Sequence, residues 1–258
     1  MLGPFVVLAA VHGGWGFSAL VAVASIIILW EWLRMIGARP PTPLLVVGSM
    51  ALVAAILLLA IRPPSVAIGM IALGVVAMAL VARSHPERRL WAPFGVVYAG
   101  ALALPAVILR EDAAFGLISL VWLLAVVWST DIAAYFCGRL IGGPKLWPRV
   151  SPNKTWAGSL GGVMFGLLAG MATLYLAGVE SALLAAPAAL LASIASQGGD
   201  LFESAMKRRF GVKDSSHLIP GHGGLMDRLD GFIAAAALML LIGLMRAPGA
   251  PAQGVLLW

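Results

Sequence analysis

The run AGSLGGVMFGLLAGMATLYLA, residues 157–177, contains no Asp, Glu, Lys, Arg or His. At about 1.5 Å per residue a helix of this length crosses a bilayer core of about 30 Å, and its composition suits lipid rather than water. The same pattern recurs in both directions along the chain, at Gly16–Trp32, Pro43–Ile61, Ser65–Ala82, Phe94–Leu109, Ala113–Ser129, Ser181–Gln197 and Gly231–Met245. A further apolar piece, Phe5–Val11, is too short to cross alone and reads as a half-span or the remnant of another helix. It has neither the basic leader nor the cleavage site of a signal peptide. The expectation is an all-α polytopic membrane bundle of eight to nine transmembrane helices, in one integral membrane domain. Residues 1–130 would supply the N-terminal spans and residues 131–258 a C-terminal catalytic region.

Composition supports this. Of 258 residues, 61% are hydrophobic and 11% charged, whereas a water-facing surface needs about 25–35% charged residues. The formal charge of +6 does not indicate a nucleic-acid partner, because the basic residues sit between apolar runs rather than on a soluble face. Cytoplasmic loops of membrane proteins collect Lys and Arg. With eight spans, only Arg62, Arg110 and Arg246 of the 17 basic residues fall on one side, and all the others fall on the opposite, cytoplasmic side. The single cysteine, Cys137, excludes an internal disulfide and reads as a packing residue. Most of the nine Trp lie near span ends, as an interfacial aromatic belt requires.

Six of the 11 carboxylates, Asp131, Asp200, Glu203, Asp214, Asp227 and Asp230, fall at or beside the last two cytoplasmic loops. Charge beside a bilayer is costly unless it is paired, metal-bound or in a wet cavity, so the clustering points to function, with ion pairing to nearby Lys and Arg as the alternative. Between Ser196 and Gly231 the chain reads SQGGDLFESAMKRRFGVKDSSHLIPGHGGLMDRLDG. Asp200, Glu203, Ser204 and Lys207 share one face if a helix continues from the seventh span, and Gly211 would end that helix. Gly221, Gly223 and Gly224 around His222 allow bare backbone to approach a ligand, a common way to cradle phosphate beside Lys. Asp227 and Asp230 then open the last helix on one face. Carboxylates at helix ends with glycine backbone and Lys or Arg between them suit a hard divalent cation and a polyphosphate. His217 and His222 alone make a zinc site the poorer fit.

The loop after the fifth span is also patterned. Asp131, Tyr135 and Arg139 form a polar stripe at one-turn spacing. Ser151, Pro152 and Asn153 read as a turn before the sixth span, followed by the cation of Lys154 and the hydroxyl of Thr155. Gly138–Lys145 is not a phosphate-binding P-loop, since Pro144 stands where that motif needs Lys and no strand precedes it.

Together, Ser204-Ala-Met-Lys-Arg208, Lys213-Asp-Ser215 and His222-Gly-Gly-Leu-Met-Asp-Arg-Leu-Asp230 resemble the signature of the phosphatidate cytidylyltransferases, the CDP-diacylglycerol synthases. The segments Asp131–Arg139 and Ser151–Thr155 are similar to others that this family shares. The first 120 residues resemble it by hydropathy only. Ala157 departs from the pattern, in which a glutamate is common, and the amino terminus looks short by part of a helix. The resemblance implies transfer of a cytidylyl group from CTP to phosphatidate at the cytoplasmic face of the inner membrane. It also implies dependence on Mg2+, with K+ as a possible second ion, and a homodimer. By motif position it implies Asp200 and Asp227 as metal ligands, with Asp230 and Asp131 next. Lys207, Arg208, Lys213 and Arg228 would neutralise phosphate charge, Ser204 and the backbone of Gly223 and Gly224 would orient oxygens, and Asp214 and His222 complete the catalytic set. Asp131, Tyr135, Arg139, Ser151, Asn153 and Lys154 are candidates for substrate binding, the first two and Asn153 for the cytosine.

Two other classes fit less well. A transporter would place its ionisable groups near span centres, where this chain has almost none. A CTP-dependent lipid kinase remains chemically close, whereas a CDP-alcohol phosphotransferase would carry an Asp-Gly-x-x-Ala-Arg pattern that is absent here.

Overall fold

The computed structural model describes residues 3–38, 42–84, 90–180, 182–219, 221 and 223–258. Its described residues form ten α-helices, a short 3-10 helix at Ala82–Ser84 and one two-stranded sheet. In chain order the helices are α1 (Gly3–His12), α2 (Gly14–Met35), α3 (Thr42–Leu59), α4 (Pro64–Val81), α5 (Trp91–Arg110), α6 (Gly116–Leu140), α7 (Trp156–Leu176), α8 (Ala186–Arg209), α9 (Met226–Arg246) and α10 (Pro251–Leu256). Between α6 and α7 lie strands β1 (Lys145–Trp147) and β2 (Ser151–Thr155).

Each of the eight expected spans lies on its own helix, and seven of these are long and apolar enough to cross a membrane. The chain is an integral membrane protein. The remaining helix, α8, starts at Ala186 rather than Ser181, which lies outside the described residues. Its second half, from Gln197, is the polar stretch quoted above, so too little of its length is apolar for it to count among the seven. Helix α1 has ten residues, about 15 Å of rise, which is half a bilayer core.

The chain divides into two compact units. One comprises residues 1–108 and 209–229, the other residues 109–208 and 230–258. In the first unit, α2 to α5 pack through small residues. A Cβ on Gly48 of α3 would meet Leu29, Met78 and Val96, and one on Gly95 of α5 would meet the Trp32 ring. Trp32 is fully buried, stacks near Phe94 and Tyr98, and donates its indole N–H to the Trp91 carbonyl at 2.7 Å. Trp32 and Trp122 are therefore core residues rather than members of an interfacial belt.

In the second unit, α6 and α7 meet along Gly158, Gly162, Gly166 and Gly170, one glycine per turn. Added Cβ atoms there would run into the backbone and side chains of Val126, Thr130, Ala134 and Gly138 on α6. Without a hydrophobic drive between helices in lipid, such small residues gain close van der Waals packing instead. Thr130 and Ser193 of α8 share a hydrogen bond of 2.7 Å in this interior. Ser159 and Gln197 add a second interhelical link, with the Ser hydroxyl donating to Oε1 at 2.6 Å and the Gln amide donating to the Ser159 carbonyl at 3.2 Å.

The segment Ser151–Asn153, expected as a turn, lies instead in β2, paired antiparallel with β1. The reversal occurs at residues 148–150, and proline is tolerated because this two-stranded ribbon has only edge strands.

Candidate active site

In the second unit, the polar ends of α6, α8 and α9 and the strand β2 carry the expected groups. Helix α8 continues to Arg209, so Asp200, Glu203, Ser204 and Lys207 do share a face. The Ser204 hydroxyl approaches Asp200 Oδ1 at 3.4 Å. Glu203 is almost wholly buried, and Lys207 Nζ lies 3.5 Å from its Oε1. Gly199 has no Cβ because one would collide with the Asp230 carbonyl and Ala234. This lets α8 and α9 approach closely beside Asp200 and Asp230. Gly231 faces Ser196 in the same contact.

Lys154, on β2, pairs with Asp200 at 2.5 Å. The hairpin positions that cation through the next residue, since Thr155 caps α7 by accepting the Gly158 N–H at 3.1 Å. Asp131, exposed on α6, has Asp230, Asp200 and Lys154 as its electrostatic neighbours. Asp230 has Glu203, Asp200 and Lys207 as its own and accepts the Gly231 N–H at 2.8 Å. Tyr135 and Arg139 follow Asp131 along α6, with the guanidinium donating to the phenol oxygen at 2.7 Å. Ser151 is half-buried, and Asn153 is exposed on the hairpin.

In the first unit, the segment from Phe210 to Leu225 is organised by two carboxylates. Gly211, at φ +68°, follows the last turn of α8 and ends it as expected. Lys213, Asp214, Arg208 and Arg228 are exposed, whereas Ser215 and Ser216 are buried. Asp227, in the first turn of α9, receives three donors on Oδ2: Ser215 N at 3.0 Å, Ser215 Oγ at 2.8 Å and Gly224 N at 2.7 Å. Ile219 N donates to the Gly223 carbonyl at 2.9 Å, and Gly223 has φ +79°, a conformation other residues rarely adopt. His222 lies outside the described residues. The Gly224 N–H expected to orient a phosphate is thus directed at Asp227.

The second carboxylate is one that the motifs did not single out. Glu31 of α2 is fully buried and accepts the Ser216 hydroxyl at 2.6 Å, Leu225 N at 2.9 Å and Met226 N at 2.6 Å. A Cβ on Gly224 would strike both Ser215 Oγ and Glu31 Oε1, so a larger residue there would push both side chains out of their hydrogen bonds. The signal was present in the sequence as a lone acid at the end of an apolar run, between Trp30 and Trp32.

Among the described residues, no three His, Cys, Asp or Glu converge tightly enough for an all-protein metal cage. That arrangement still fits magnesium, which takes one or two carboxylates and fills its octahedron with water and phosphate oxygens. In the second unit, the carboxylates of Asp131, Asp200 and Asp230 are electrostatic neighbours of one another, with Lys154 and Lys207 as the neighbouring cations. A local surplus of negative charge of this kind is relieved by a divalent cation.

Residues 1–245 match the model of the cytidylyltransferase family. Similar proteins include a phosphatidate cytidylyltransferase of Brucella suis biovar 1, 42% identical over 239 residues that cover 90% of this chain and 85% of that protein. One of Brucella abortus biovar 1 has the same identity and coverage. A phosphatidate cytidylyltransferase of Staphylococcus aureus strain COL is 40% identical over 133 residues, 51% of each chain. With α1 to α8, all of α9 but its last residue and the polar segments inside the match, the chain belongs to the cytidylyltransferase family.

Proposed function

We propose that this protein is a nucleotidyltransferase that moves CMP from CTP to phosphatidate, giving CDP-diacylglycerol and pyrophosphate. The observation that carries the reading is the ion pair of Lys154 with Asp200 in a membrane protein, with Asp131 and Asp230 as electrostatic neighbours of Asp200, in a chain that is 42% identical to named phosphatidate cytidylyltransferases. A phosphate oxygen of phosphatidate attacks the α-phosphorus of CTP, the bond to the bridging oxygen breaks, and pyrophosphate leaves with that oxygen. The nucleophile is already anionic, so no strong general base is needed, and positioning with charge neutralisation supplies the acceleration.

Asp200 and Asp227 are the proposed Mg2+ ligands, with Asp230 and Asp131 as the next candidates, and K+ is a candidate second ion. Bound there, the metal would neutralise phosphate charge as a Lewis acid. Lys154, Lys207, Arg208, Lys213 and Arg228 bind phosphate oxygens, and Ser204 orients one of them. Asp131, Tyr135 and Asn153 face the nucleoside. The positive-inside asymmetry supports a site on the cytoplasmic side of the inner membrane, where a water-borne triphosphate reaches a lipid headgroup. The homodimer implied by the sequence resemblance is open to light scattering of the purified protein.

The test is to incubate purified protein with α-labelled CTP, phosphatidate and Mg2+. The expected products are labelled lipid and pyrophosphate in equal amounts, lost when Mg2+ is withheld. Release of CDP with a newly phosphorylated lipid would assign a kinase instead.

A further inference from the structure

We infer that Glu31 is a positioning residue for cytidylyl transfer: its buried carboxylate, reaching from α2, caps the start of α9 and fixes the Ser215–Met226 segment that carries Asp227. The inference rests on the activity proposed above. The first N–H groups of a helix have no partner within it and are usually satisfied by a side chain just ahead of the first turn. The residue just before α9 is Leu225, which has no side-chain acceptor. Glu31 supplies the acceptors instead, taking Leu225 N on Oε1 and Met226 N on Oε2, with Ser216 Oγ as a second donor on Oε1.

All three partners present hydrogens to Glu31, so the site demands a group that only accepts. A carboxylate meets that demand, and its charge complements the positive end of the helix. Burial makes the requirement strict, since a donor left facing another donor there has no water to turn to. Gln at this position can offer one oxygen to Ser216 and Leu225, but its amide nitrogen then faces Met226 N. Asp keeps the charge but is one methylene short of partners in the loop and in the helix together. The groups that donate to Glu31, on Ser216, Leu225 and Met226, are not expected substrate-binding residues, and its influence passes through the segment it holds, where Gly224 and Ser215 in turn bind Asp227.

The experiment compares wild type, Glu31→Gln and Ser216→Ala by amide hydrogen exchange and by steady-state cytidylyl transfer. Glu31→Gln should speed exchange across residues 215–226 and lower kcat about tenfold or more, the scale of a lost charged hydrogen bond. KM for CTP should change little, and exchange in the hairpin at 145–155 should stay at the wild-type rate. Ser216→Ala, which removes one donor and leaves the helix cap, should lower kcat severalfold with folding intact, and it decides the matter if Glu31→Gln does not fold. Wild-type kcat in either folded variant overturns the proposal. So does accelerated exchange spread equally over the hairpin, which would make Glu31 a general stability residue. If wild type makes no CDP-diacylglycerol, the proposed activity fails separately, and unchanged exchange at 215–226 in Glu31→Gln would still overturn the anchoring.

Discussion

Replacing Asp227 by Asn removes one charge and leaves the side-chain shape intact, which makes it the most informative single change. Three donors meet at Oδ2, all between 2.7 and 3.0 Å. A hydrogen bond to a charged acceptor contributes about 1.5–3 kcal/mol, against about 0.5–1.5 kcal/mol for a neutral one. The amide oxygen of Asn can occupy the Oδ2 position and keep all three bonds, each weaker by about 1 kcal/mol. The upper bound for loosening the segment is therefore about 3 kcal/mol, since bonds at one oxygen are not additive. At about 1.4 kcal/mol per tenfold, this raises the open population of the segment by up to about a hundredfold.

Amide exchange at Ser215 and Gly224 should accelerate by that factor in Asp227→Asn while the spans exchange as before. Cytidylyl transfer should fall at least as far, because the variant has lost both the segment's anchor and a negative charge proposed for the cation. Turnover within about threefold of wild type, at an exchange rate that has not moved, would refute the reasoning on both counts; a threefold change is only about 0.65 kcal/mol.

Gly166→Ala should lower the thermal unfolding midpoint, because its Cβ would fall against Thr130 Oγ1 and 3.0 Å from Ser193 Oγ; overpacking of this kind costs about 1–3 kcal/mol, and an unchanged midpoint would show that α6 and α7 separate easily. Thr155→Ala should cost about 1 kcal/mol through loss of the α7 cap, visible in the same melt and restored by Thr155→Ser, which keeps an acceptor for Gly158 N. Lys154→Ala should lower kcat/KM for CTP more than tenfold yet cost less than about 1 kcal/mol of stability, since both partners are partly exposed. Parallel losses of stability and activity in that variant would reduce Lys154 to a structural role.

The spans were legible because hydropathy acts residue by residue and needs no knowledge of partners. So was the polar stripe on α6: helical spacing alone places Tyr135 beneath Arg139, and the two are hydrogen-bonded. The hairpin was not legible. A three-residue strand is too short to show alternation, and Ser-Pro-Asn has the composition of a turn, so pairing with Lys145–Trp147 decided the conformation. Glu31 was missed for a different reason. As a lone acid in an apolar run it stands out locally, but its partners lie 185–195 residues further along the chain, and no local pattern names them.

Counting donors separates the acids that the motifs alone left in one group. In the first unit, Glu31 and Asp227 each receive three hydrogens from hydroxyls and backbone N–H groups. Those hydrogens occupy lone pairs that a cation would otherwise use, and they tie the two acids to holding the chain. In the second unit, the acids have other titratable groups as neighbours: Asp200 has Lys154, and Asp131 and Asp230 have other carboxylates and Lys154 or Lys207. An acid whose neighbours are charges gains most when a divalent cation arrives; one already ringed by donors gains least. Removing the charge of Asp200 should therefore weaken Mg2+ dependence more than it loosens any segment, whereas Asp227→Asn should loosen its segment more than it shifts the magnesium midpoint. Magnesium titrations of activity, run beside amide exchange on Asp200→Asn and Asp227→Asn, separate the two kinds of acid. An unshifted magnesium midpoint in Asp200→Asn, with residual activity high enough to titrate, would remove it from the proposed ligands.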